Sequence, residues 1–319
     1  MAINPKKMTS LTRTMGQWRL RTRTLELGSR TLVMGVVNIA PDSFSDGGLF
    51  ADSEAAVAHA LRLLDEGADI LDLGAESTRP GSRAGLNASG ADSELGPAVS
   101  AEEEQARLLP VLEGILAARP KAIVSVDTYK ATTAHAALAA GAEIVNDVSG
   151  FLWDAEMAAV CAESRCGLVL MHTRGRPEEW RTQPQLAADE LLATVRGGLA
   201  ASLAAAAQAR AATESIVLDP GYGFGKRFDE NYVLLARQAE LLSLGRPLLA
   251  GVSRKSFLGR TLAPLFGGQD APVRARETAS LAALVAAILH GASIVRVHAV
   301  RPAVEAALIA DAVLLARPE

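Results

Sequence analysis

Eight short apolar runs, each followed by a longer helical stretch, constrain the fold of this chain more than any other feature. The runs cover residues 32–38, 70–73, 123–127, 144–146, 168–171, 216–219, 248–251 and 294–298. They are rich in Val, Ile and Leu and too short for helices, as strands buried on both faces should be. The helical stretches cover 53–66, 101–119, 132–140, 155–163, 185–212, 229–243, 274–290 and 301–316, and several stop at Gly67, Pro120, Gly141 or Gly291. Eight such units are the count of a (β/α)₈ barrel. The alternative, a doubly wound sheet, normally carries a Gly-rich turn after its first strand; here Asn38-Ile-Ala-Pro-Asp-Ser-Phe44 follows instead. The fold class predicted is α/β, a single TIM barrel over 18–319.

Before the barrel, residues 1–17 read as a short disordered tail. The alternating stretch 18–27 reads as a strand, with Gly28-Ser29 as the turn into the next one, giving an N-terminal β-hairpin. The leader has no continuous apolar core, so it is not a secretory signal. Composition narrows the function classes. A net charge of −4 argues against general nucleic-acid binding. The apolar window 281–289 is too short to span a membrane, which takes about 20 residues, so no membrane partner is expected. Cys161 and Cys166, the two cysteines, exclude a disulfide framework and suit a reducing, cytoplasmic setting.

Polar residues fall where the apolar runs stop: Asn38, Asp127, Asn146, Asp219, Lys255, Arg296 and His298. Any one of them has a plain structural explanation, such as a helix cap or turn. A barrel, however, gathers all eight strand ends at one mouth. Arg296 and His298 are two apart, so they share the inward face, with Val295 and Val297 directed to the helices. Asp127, Asp219 and Asn146 suit a ligand rich in N–H donors, such as a fused aminopyrimidinone. Lys255, Arg79, His298 and Asn38 suit a phosphate or pyrophosphate, with Asn38 as a candidate oxygen ligand for Mg²⁺. The loop Leu218-Asp-Pro-Gly-Tyr-Gly-Phe-Gly-Lys226 is glycine-rich but matches neither a Walker A loop nor a dinucleotide fingerprint. Long segments follow three of the strands, at 39–52, 74–100 and 259–273, and in a barrel all three lie at the mouth.

Taken together these segments resemble the dihydropteroate synthases. The matching stretches are Val33 to Gly48, Asp72-Leu-Gly-Ala-Glu-Ser-Thr-Arg-Pro-Gly81, Ser125-Val-Asp-Thr-Tyr-Lys130, Val145-Asn-Asp147, Val169-Leu-Met-His172, the 218–226 loop, Ser253-Arg-Lys-Ser256 and Arg296-Val-His298. They occur in family order and span nearly the whole chain. The resemblance implies condensation of dihydropterin pyrophosphate with p-aminobenzoate, with Mg²⁺, by a dissociative path. It implies that Asp127, Asn146 and Asp219 hold the pterin edge, Lys255 its carbonyl side, Met171 one face, and Arg296 the stacked face. It implies that Asn38, His298 and Arg296 bind pyrophosphate, and that loops carrying Asp46 and Arg79 close over the leaving group. Thr78, Pro80, Phe224, Lys255 and Ser256 would form the p-aminobenzoate pocket that sulfonamides imitate. A homodimer is also implied, with helix 278–290 as one candidate face. Departures from the family pattern are Ala40, Thr173, Ala299 and a longer 84–96 loop; none removes a residue given a role. Two other readings compete. A pterin-dependent methyltransferase would not need the 77–81 or 253–256 motifs, and both are present. A non-catalytic pterin-binding paralogue would bind without turnover.

Overall fold

The computed structural model describes residues 15–39, 48–76 and 99–316, with the backbone alone for 48–52. Asp46, Thr78, Arg79, Pro80, Ala40, the 84–96 insertion and residues 1–14 of the tail lie outside the described residues. Strands β3 (Leu32–Asn38), β4 (Ile70–Gly74), β5 (Val124–Asp127), β6 (Ile144–Asp147), β7 (Gly167–Met171), β8 (Ile216–Asp219), β9 (Leu248–Ala250) and β10 (Ala292–Val297) form a closed barrel. Every neighbouring pair is parallel, and β10 closes on β3 with Val295 opposite Val33. Around it run α1 (Gly48–Asp65), α2 (Ala101–Ala118), α3 (Ala131–Ala139), α4 (Met157–Ser164), α5 (Ala188–Gln208), α6 (Phe228–Arg237), α7 (Ser256–Thr261), α8 (Glu277–Leu289) and α9 (Val300–Leu315).

Period-two alternation divides the strand residues between two cores. Val33, Val37, Leu71, Leu73, Val124, Val126, Leu168, Leu170, Val295 and Val297 pack outwards against the helices. Leu32, Met34, Ile70, Ile144, Val169, Val217, Leu249 and Ile294 pack inside the barrel. Two residues further along those strands the inward positions turn polar, at Asp72, Asn146, Asp219 and Arg296 among others. The barrel interior thus has an apolar floor and a polar upper layer.

The floor is completed by a hairpin of β1 (Gly16–Arg19) and β2 (Thr24–Leu27), antiparallel with Trp18 opposite Leu25. Two sequence expectations need correction here. Gly16 and Gln17 belong to β1, so the disordered tail expected over 1–17 does not extend through them. The stretch 18–27 is two strands, with the turn closed by Leu20 N–H donating to Arg23 O at 2.8 Å, and not one strand ending at Gly28. Alternation continues through the turn because Leu20 is still buried. Trp18, Leu20 and Leu27 join the interior apolar cluster. Trp18 Nε1 donates to Ser215 O at 2.7 Å, and Arg21 Nε to Ala142 O at 3.0 Å, which ties the hairpin beneath β6 and β8.

Two of the three expected long segments are also shorter than read, and 74–100 lies mostly outside the described residues. Helix α1 begins at Gly48, and 256–275 holds α7 with two 3₁₀ turns, Ala263–Phe266 and Val273–Ala275. Helix α5 is long and apolar enough to cross a membrane by length and composition. Here Leu191, Leu192, Val195 and Leu199 of its inner face are buried in the shell around the barrel.

Candidate active site

The polar layer is built by strand alternation alone. Asp72, Ser125, Asp127, Asn146, Asp219 and Arg296 stand on inward positions of β4, β5, β6, β8 and β10, each two residues from an apolar floor residue or from one another. Arg296 is the centre. Its Nε donates to Asp72 Oδ2 and its Nη2 to Asp127 Oδ2, both at 2.6 Å. Burial works against its charge, but Asp72 and Asp127 more than offset that and raise the guanidinium pKa above its ordinary value. The guanidinium therefore stays charged inside the barrel.

Asp127 is the unbalanced member. Its Oδ1 is buried with no hydrogen-bond partner. Burial pushes its pKa up to about 7, against the lowering effect of Arg296. A buried acceptor without a donor is costly, and this oxygen is open to one. Asp219 offers a second carboxylate. Its Oδ1 accepts from Gly221 N at 2.7 Å, and burial raises its pKa. Asn146 Nδ2 donates to Asp72 Oδ2 at 3.1 Å. Beside these groups two inward positions are glycines. A methyl group on Gly251 would sit 3.7 Å from Asp219 Oδ2, and one on Gly74 would sit 3.7 Å from Asp127 Cβ.

The rim comes from loops that the barrel pins from below. The 220–226 loop turns through positive φ at Gly221, Gly223 and Gly225, conformations that favour glycine. Lys226 folds under it and donates to His172 O at 2.8 Å and Phe224 O at 3.3 Å; burial holds its pKa well below the usual lysine range. Phe224 is thereby presented with Trp180 edge-on at 4.9 Å and Lys255 Nζ 4.0 Å above its ring. Lys255 and Ser256 follow Arg254, which has φ of 58°. Arg254 N–H donates to Ser280 Oγ at 2.9 Å and its Nε to Glu277 Oε2 at 3.0 Å, so the start of α8 holds this turn. His298 Nδ1 lies 3.0 Å from Ser253 Oγ. Met171 packs with Tyr129, Val148 and partly buried Trp153 and Phe224.

The structure places Asn38, Asp127, Asn146, Met171, Asp219, Phe224, Lys255, Ser256, Arg296 and His298 at the same end of the barrel, as the sequence predicts. The remaining predicted residues, Asp46, Thr78, Arg79 and Pro80, are among those outside the described residues. Sequence reasoning gave no role to Asp72, Ser125 or Lys226. It looked for polar groups where strands stop, and Asp72 and Ser125 stand inside their strands. The available signal was an Asp flanked by Leu71 and Leu73, on the same face as Ile70.

A closed parallel barrel with buried acceptors around one guanidinium at its mouth has the makings of a pterin-binding enzyme, and residues 34–298 match the family described as pterin binding enzyme. The chain is 38% identical over 290 residues to dihydropteroate synthase of Bacillus subtilis, covering 91% of each. It superposes on the Xanthomonas albilineans dihydropteroate synthase with 4-aminobenzoic acid at TM-score 0.80 and 39% identity, covering 96% of this chain and 100% of that one. The same enzyme in complex with 7,8-dihydropteroate gives 0.77 at 37% identity, covering 95% and 100%. The chain belongs to the dihydropteroate synthase family.

Proposed function

We propose that this chain condenses 6-hydroxymethyl-7,8-dihydropterin pyrophosphate with p-aminobenzoate to give 7,8-dihydropteroate and pyrophosphate. The observation that carries this reading is the unpartnered, buried Asp127 Oδ1 beside Asn146 and Asp219. An aminopyrimidinone edge brings N–H donors to such a set of acceptors. In this reading Asp127, Asn146 and Asp219 hold the pterin edge, Lys255 meets its carbonyl side, and Met171 packs against the ring. Arg296, anchored at Asp72, lies across the opposite face, where its plane can stack. Phe224, Lys255 and Ser256 line the arylamine side, with Thr78 and Pro80 added by resemblance.

The reaction proceeds by loss of pyrophosphate before attack of the arylamine. Arg296 and His298, with Asn38, receive the charge that builds on the leaving group, where preorganised donors act without reorganisation. The methylene carbon carries transient positive charge. The Phe224–Lys255 wall shields it from water, with the loops carrying Asp46 and Arg79 added to that role by resemblance. The arylamine is neutral and already nucleophilic, so no strong general base is needed. Among the described residues no cluster of His, Cys, Asp or Glu could cage a metal. A Mg²⁺ ion would be held mainly by substrate phosphates, with the exposed carboxamide of Asn38 at the end of β3 supplying one oxygen. When bound, the ion supplies charge neutralisation for the departing pyrophosphate.

The unpaired, buried Cys161 and Cys166 suit a reducing cytoplasm. A homodimer would use the outer wall. There the exposed apolar side chains Leu308, Ile309, Val313 and Leu315 stand on α9, whereas α8 is largely covered.

The test is pyrophosphate release from dihydropterin pyrophosphate with Mg²⁺, with and without p-aminobenzoate. Release that requires the arylamine and yields dihydropteroate is expected. Pterin binding without release would make the chain a binding paralogue.

A further inference from the structure

Asp72 is fully buried, two residues before the end of β4. Its carboxylate receives donors from three other strands. Oδ1 accepts from Ser125 Oγ of β5 at 2.6 Å. Oδ2 accepts from Asn146 Nδ2 of β6 at 3.1 Å and from Arg296 Nε of β10 at 2.6 Å. Burying a carboxylate is expensive unless donors surround it, and here they do. Two consequences follow for the layer above. A carboxamide has one donor end and one acceptor end, and the donor end of Asn146 is committed to Asp72. Its Oδ1 is therefore the end that faces away from Asp72. Arg296, likewise, is held at Nε by Asp72 and at Nη2 by Asp127. A ligand that takes over Asp127 releases Nη2 and leaves the Nε bond to Asp72 in place.

We propose that Asp72 is a positioning residue that sets the donor–acceptor pattern of the pterin subsite, holding Asn146 with its acceptor toward the ligand and Arg296 in a fixed plane. Asp72 does not touch the substrate; it acts through both residues. The proposal rests on the pterin reading given above.

Two substitutions separate this role from a purely structural one. Asp72→Asn keeps an acceptor for Asn146 and Arg296, because the Ser125 hydroxyl can turn and accept from the new amide. Asp72→Leu is similar in size and has no acceptor at all. Binding of a pterin lacking the pyrophosphate is measured by calorimetry, with the melting temperature of each variant alongside. Wild type binds. Asp72→Asn stays within about threefold, and Asp72→Leu weakens binding by about tenfold or more, the scale of losing hydrogen bonds to a charged group. Adding Asn146→Asp to Asp72→Leu restores most of that loss, because a carboxylate at 146 presents an acceptor whichever way it turns. If Asp72→Leu does not fold, Asp72→Ser, too short to reach both donors, takes its place with the same expected loss and rescue. Unchanged affinity in the Leu or Ser variant, or a loss that Asn146→Asp leaves untouched, overturns the proposal. Absence of pterin binding by the wild type would instead overturn the reading of the site itself.

Discussion

At the scale of single residues, Asp127 makes the sharpest pH statement. Burial lifts its pKa from 3.8 to about 7, so it is largely protonated at pH 6 and ionised at pH 8. A protonated carboxyl turns a donor toward the donors of a pterin, whereas the ionised form accepts them. Pterin affinity, measured by calorimetry without the pyrophosphate, should rise about tenfold between pH 6 and 8, as the competent fraction rises. Stability has the opposite sign. A folded pKa above the unfolded one means that the contribution is fully present below pH 3.8 and is lost as pH rises through about 7. Asp127→Asn should flatten both slopes. Asp219→Asn has a different expected result: it turns one acceptor into a donor facing a donor, and pterin binding should weaken about tenfold or more. Unaltered affinity would remove Asp219 from the site. Most of these residues were legible in the sequence because strand ends in a barrel converge. Asp72 was not, because its importance comes from three partners on other strands, and a single chain read in order does not show which strand lies beside which.

At the scale of elements, the strands were read closely. The runs 32–38 and 216–219 have the observed bounds of β3 and β8, since buried parallel strands leave an uninterrupted apolar signature. The hairpin was misdivided for the converse reason. Its turn, Leu20-Arg21-Thr22-Arg23, carries no Gly, Pro, Asn or Asp to mark it, and only the backbone bond between Leu20 and Arg23 reveals it. Helix α7 was missed because it has six residues and contains Gly259, so it offers little helical periodicity. The hairpin matters to the barrel through Trp18, which is fully buried and hydrogen-bonded to Ser215 O. Trp18→Ala should cost about 3–5 kcal/mol by the usual scale for large buried aromatics, measured by urea denaturation. Trp18→Phe should cost less, the lost hydrogen bond being worth about 1 kcal/mol. Equal losses for the two variants would mean that shape filling is not what the indole provides.

At the scale of the whole molecule, the outer wall and the inner floor make separate demands. The stripe Leu308, Ile309 and Val313 on α9 faces outward and is 46–68% exposed, which is costly for a monomer and suits a self-complementary contact. If the proposed homodimer uses this stripe, Ile309→Glu should shift the protein toward monomer in analytical ultracentrifugation while leaving pterin affinity unchanged; a species of unchanged mass would remove this stripe from the contact. The sequence offers the neighbouring helix α8 as another candidate face, and one side of that helix packs against α6 and α9. Inside, the hairpin stoppers one end of the barrel with Trp18, Leu20 and Leu27. A vessel corked at the bottom has a single doorway, so all traffic follows the rule of a narrow well. What sits deepest must go in first, and it cannot leave until whatever lies above it has gone.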